Sequence, residues 1–124
     1  MGFEQPPIIV SPETGQIYKD INETRIHLLS YLSDDSHFTN ANLNPGDKYE
    51  IEMRIDKIIN LCETESEDPK LNSILSGVST SYSKLKKDIN AYPYTFGDIK
   101  DRISNLSEPG NADHELKYFF TGVN

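Results

Sequence analysis

Apolar residues recur along this chain at helical spacing in four stretches, each bounded by polar or proline-bearing segments. The clearest stretch holds Leu71, Leu75, Val78, Tyr82, Leu85 and Ile89, spaced 4-3-4-3-4, with Ile74 on its flank. Asp68 and Pro69 precede it as an N-cap and a first-turn proline, so the pattern predicts a helix over 69–90, stopped by Tyr92-Pro93-Tyr94. Gly77 and the Ser/Thr-rich middle of that helix lower its propensity, and their small size suits close helix approach. A second stripe, Ile51, Ile55, Ile58 and Cys62, predicts a helix over 47–64, with Asp47 as cap and Glu50 three residues on. Ile17, Ile21, Leu28 and Leu32 predict another over 16–33, with Thr24 and Arg25 filling the gap in the stripe. The last stripe, Ile99, Ile103 and Leu106, follows the cap Thr95 and ends at Pro109-Gly110.

The order of elements predicts an all-α fold: a small bundle of about four helices over 16–108, with an extended N-terminal arm over 1–15 and an aromatic C-terminal tail over 109–124. Pro6, Pro7 and Pro12 forbid a continuous helix in the arm, and Ile8, Ile9 and Val10 are strand formers suited to a neighbour's sheet edge. Residues 34–47 are dense in turn formers, and a connection of that length in a small domain tends to carry function. Tyr118-Phe119-Phe120 in the tail is too apolar to stand free in water and is expected to dock, on its own bundle or on a partner.

Composition narrows the functions. The 124 residues make one domain, and 35% hydrophobic content is low, which points to a thin core or a surface completed by a partner. Twelve basic and 20 acidic residues give a net charge of −8, which opposes broad contact with nucleic-acid phosphates or an anionic membrane. No apolar run is long enough to span a bilayer, and the N-terminus lacks the basic start and apolar core of a signal peptide. A lone Cys62 forms no internal disulfide, so the expected place is intracellular or within an assembled particle. Charge is uneven. Residues 47–68 carry eight acids and three bases, net −5; residues 84–102 carry five bases and three acids, net +2. The Lys84, Lys86, Lys87 cluster is also what the last turn of a helix favours.

Chemistry is sparse. Cys62 lies on an apolar stripe, where a thiol is a small core residue. His27, His37 and His114 are scattered, and neither a nucleophile elbow nor a zinc motif is present. The Asn40–Gly46 stretch places oxygen-bearing residues alternately, yet its glycine and its twelfth position do not fit a calcium loop. The acids over 63–68 read as a solvated helix end. The expectation is therefore a non-enzymatic chain with no cofactor and no metal.

The reading that follows is a structural or adaptor subunit of a larger protein assembly, bound to other protein subunits, copies of itself among them. Phe3, Ile8, Ile9, Val10, Tyr118, Phe119 and Phe120 are its expected partner-binding residues. The general plan is similar to small head–tail connector proteins of bacteriophages, as an analogy of architecture alone and with no motif to identify that family. The alternative is an acidic inhibitor or immunity-type protein that blocks a basic partner through the acidic second helix and its Glu63–Asp68 end.

Overall fold

The computed structural model of the chain describes residues 12–33, 43–66 and 68–121. Among them are five helices and no strand: α1 (Pro12–Leu32), α2 (Pro45–Cys62), α3 (Pro69–Ala91), α4 (Phe96–Leu106) and α5 (Ala112–Thr121). No helix among the described residues is long and apolar enough to cross a membrane.

Five cross-helix contacts fix the topology. Tyr31 at the end of α1 donates to Asp47 at the start of α2, 2.9 Å away, so the two helices run antiparallel. Lys86 meets Asp56 at 2.8 Å and Asn90 bonds Glu52, which sets α3 antiparallel to α2. Arg102 on α4 pairs with Asp88 at 2.9 Å, and Asp113 on α5 bonds Tyr82 at 2.7 Å. The partner thus descends α3 as the chain climbs through α4 and α5. These last two helices occupy one corner of the bundle, packed on α1 and α3, while α1 and α3 lie diagonally across the core with no close backbone approach. The result is an up-down-up-down four-helix bundle whose fourth line is broken in two.

Local chemistry explains each boundary. Asn44, not Asp47, caps α2. Its Oδ1 accepts from the Asp47 N–H at 2.8 Å, and the Asp47 carboxylate accepts from the Asn44 N–H at 3.5 Å. Pro45 moves the start forward because its fixed φ suits the first helical position and it has no N–H to satisfy. For the same reason α1 opens at Pro12, four residues before the predicted start at 16, and Thr14 is already buried. Asp68 and Pro69 open α3 as expected, and Thr95 with Asp98 forms a reciprocal cap on α4.

The break follows from Pro109-Gly110. Gly110 has φ +89°, and the Asn111 N–H donates to the Glu108 carbonyl at 3.0 Å, the arrangement of a type II turn. Asn111 then serves both sides: its side chain donates to the Asn105 carbonyl at 2.7 Å, and its own carbonyl accepts the Glu115 N–H. Beyond the turn, Ala112, Leu116 and Phe119 fall at helical spacing, and residues first read as a tail become α5.

The core runs the length of the bundle. Ile21, Leu28 and Leu32 of α1 meet Ile51, Ile55, Ile58 and Cys62 of α2, the whole seam of α3, and Phe96, Ile99, Ile103, Leu116 and Phe119 from the fourth line. The Ser/Thr side of α3 does not serve close packing. Gly77 is exposed, and a Cβ placed there meets nothing within 4 Å. The Gly77→Ala variant is therefore expected to unfold at higher urea, a gain of roughly 0.5–1 kcal/mol from reduced unfolded-state freedom. Leu75→Ala, a truncation in the seam, is expected to lose about 2–5 kcal/mol in the same assay. A Gly77→Ala variant less stable than wild type would show that the face is packed after all.

Candidate functional site

The residues assigned to partner binding separate into three groups. Phe3, Ile8, Ile9 and Val10 lie outside the described residues. Phe119 is 6% exposed and belongs to this chain's own core. Phe120 stacks on Tyr18 of α1, with centroids 4.5 Å apart, and meets Phe119 edge-on at 5.2 Å. Only Tyr118 of that trio faces outward. The reason is helical period: positions 116, 119 and 120 share one face of α5, and position 118 falls on the other.

The acidic face of α2 is largely spent inside the molecule. Glu50 pairs with Arg54 one turn on at 2.6 Å, Asp56 with Lys86, and Glu52 with Asn90. Arg54 also lies over the Tyr31 ring, 4.8 Å from its centroid. Burial, helped by the hydrogen bond to Asp47, pushes the Tyr31 hydroxyl up to about 12, so this tie between α1 and α2 stays protonated. Between these two paired flanks runs the outward ridge of α2. It carries Tyr49, 65% exposed, and Met53, 46% exposed, one turn apart and opposite the buried stripe. Asp56, Lys57 and Asn60 continue the ridge and border a shallow groove there.

The second feature is a cleft where the fourth line breaks. It has a volume of about 300 Å³ and lies between α1 and the start of α5. Tyr18, Ile21, Asn22 and Arg25 form one wall, and Ser107, Asp113, His114, Leu116 and Lys117 the other. Its floor is polar in the middle of an apolar bundle. Asp113 is 8% exposed and accepts a 2.7 Å hydrogen bond from the Tyr82 hydroxyl. Burial raises the Asp113 carboxyl above its usual value, against the opposing pull of the Tyr82 bond and the Arg25 charge. Burial likewise lifts Tyr82 well above its usual value, and the Asp113 charge adds to it. Cys62, outside the cleft lining, is near enough to feel the Asp113 charge. Burial, then the charges of Asp113 and Glu63, push its thiol up to about 12, which leaves it a protonated core residue and a poor nucleophile.

Sequence patterning did not single out Asp113, Arg25 or Asn22. One signal was present: a tyrosine within a heptad seam buries a hydroxyl that must find an acceptor. No pattern said which residue would supply it, because the partner lies 31 positions away across a turn.

Among the described residues, no group of three or more His, Cys, Asp or Glu side chains is placed to hold a metal ion. Comparison with protein-family models, with curated proteins and with solved structures finds no match to this chain.

The raised Asp113 carboxyl has a signed consequence. A carboxyl whose folded value exceeds its unfolded value, about 3.9, binds its proton more tightly in the fold. Its contribution to stability is full below about pH 4 and is lost as pH rises through the folded value. Asp113→Asn keeps an acceptor for Tyr82 and removes the titration. Urea midpoints across a pH series are therefore expected to show wild type falling relative to this variant as pH rises from about 4. A difference that does not change with pH would mean that Asp113 titrates alike in both states.

Proposed function

We propose that this chain is a non-enzymatic assembly subunit, a small helical module that docks on other protein subunits, copies of itself included. The observation that carries this reading is the Tyr49–Met53 pair at the centre of the outward face of α2. Tyrosine and methionine are enriched in protein interfaces, and here neither contributes to the buried core. Both flanks of the ridge are held by intramolecular pairs, so the face is rigid and presents its apolar pair without reorganisation.

Surface charge supports the same reading. Glu63, Glu65 and Asp68 are exposed where α2 gives way to α3, and Lys84 and Lys87 are exposed on α3. None of these five is in the ion pairs formed among the described residues. An acidic end and a basic flank on one subunit suit head-to-tail contact between copies. The terminal segment with Phe3, Ile8, Ile9 and Val10 remains part of the proposal as a second anchor. The alternative reading as an acidic inhibitor keeps only the exposed Glu63, Glu65 and Asp68 as its contact, since the acids within α2 bond inside the chain.

Light scattering behind size exclusion tests this at low and at high salt. The expected result is a species heavier than the 14.1 kDa chain, weakened by salt through the charged contacts. Met53→Glu, on an exposed position, is expected to return a monomer with unchanged helical circular dichroism. A wild-type monomer at the highest soluble concentration in both salts overturns self-assembly. A Met53→Glu variant that associates as wild type does removes α2 as the contact face.

A further inference from the structure

We propose that the cleft at the break of the fourth helix line binds a small organic oxyanion, with the Arg25 guanidinium as its principal ligand. This site is separate from the assembly face on α2 and does not depend on that reading.

Arg25 carries the argument. It is half-buried on α1, and its Nη2 donates to Asn22 Oδ1 at 2.7 Å, which fixes the guanidinium plane against the cleft wall. That is its one hydrogen bond among the described residues. A guanidinium has five N–H donors in a planar fork, so most of this fork is left without a protein acceptor. The fork matches the spacing of two oxygens on a carboxylate or a phosphate, which is why such pairs are bidentate and strong.

The carboxyl that lines the cleft does not take that role. Asp113 is close enough for its charge and that of Arg25 to feel each other, yet the two are in no ion pair within 4 Å. Its Oδ2 is engaged by the Tyr82 hydroxyl. The remaining donors of the Arg25 fork therefore meet no carboxylate among the described residues. From the facing wall, His114 and Lys117 bring two further basic side chains, one turn apart on α5. In a chain with net charge −8, the cleft lining sets three basic side chains against one acid, Asp113.

The cleft also sets the size and character of the ligand. Ile21, Leu116 and the Tyr18 ring give it apolar wall beside the cations. About 300 Å³ accommodates a single ring bearing one anionic group. The shared chemistry is an oxyanion on a compact apolar body, as in an aryl phosphate or an aryl carboxylate.

The test is a titration of the full chain, labelled with nitrogen-15, with inorganic phosphate, phenyl phosphate and benzoate, followed by backbone amide shifts. The expected result is saturable shifts centred on residues 22–25 and 114–117, with an organic probe tighter than inorganic phosphate. Arg25→Gln, at a half-exposed helix position, is expected to weaken binding about tenfold with helical circular dichroism unchanged. Arg25→Lys keeps the charge and loses the fork, and it is expected to bind less tightly than wild type. It also serves as the second variant if the glutamine form loses helicity. Shifts that do not saturate, shifts spread over the surface lysines, or either variant binding as wild type does would overturn the proposal.

Discussion

Burying a tyrosine hydroxyl in the seam of a helix obliges the rest of the bundle to supply an acceptor. Tyr82 sits at the centre of the α3 stripe, and the apolar residues around it offer none. An unpaired hydroxyl there would cost about 1–3 kcal/mol. The acceptor has to come from another helix, at the level of Tyr82, and from a side chain short enough to turn inward. Asp113 meets these conditions because the fourth line breaks just before it. In the first turn of α5 a carboxyl is also favoured by the positive end of the helix dipole. Had α4 continued through residues 107–111, the register of the fourth line would differ, and position 113 would no longer be set by the turn at Gly110.

The break that answers Tyr82 also makes the cleft. A continuous fourth helix packs ridge into groove along α1 and closes the space between them. Interrupting it with a type II turn withdraws side chains over one turn of that contact, opposite Asn22 and Arg25. The polar pair and the cavity therefore have one origin in the chain, Pro109-Gly110. No buried side-chain nitrogen or oxygen among the described residues lacks a hydrogen-bond partner. The interior polarity is thus specified and satisfied, and the surplus donors belong to Arg25 at the cleft wall.

Much of this fold is legible in the sequence. Helical period placed the buried stripes of α2 and α3 residue by residue, because a packed seam tolerates few exceptions, whereas in α1 and α4 it also took in the partly buried Ile17 and Leu106 and left out the buried Phe96. The caps Asp68 and Thr95 were legible because side-chain acceptance of a backbone N–H needs a short oxygen at one position. The cap of α2 was placed three residues late. Asn44 and Asp47 both carry cap chemistry, and Pro45 decides between them. α5 was read as a tail because Pro109-Gly110 signals an end, and ten residues with three aromatics resemble a strand as much as a helix. The cleft was not legible. Arg25 and Asn22 look like ordinary polar positions on α1, and their pairing with the first turn of α5 is a product of tertiary register that local pattern does not encode.

What the interior settles also bears on how the outside is read. The core, the capped helix ends and the cross-helix pairs account for the bundle without Tyr49 or Met53. A polar pair at those two positions would leave every buried contact in place and would lower the exposed apolar area. Folding therefore gives no reason for an aromatic and a thioether there, whereas Phe119 and Phe120, which the sequence offers as partner anchors, have a complete explanation in their packing on the core and on Tyr18. The distinction between an apolar residue that the fold uses and one that it leaves in water comes from register on the helix and not from hydrophobicity. By that distinction α2 rather than α5 presents the surface that folding alone does not explain.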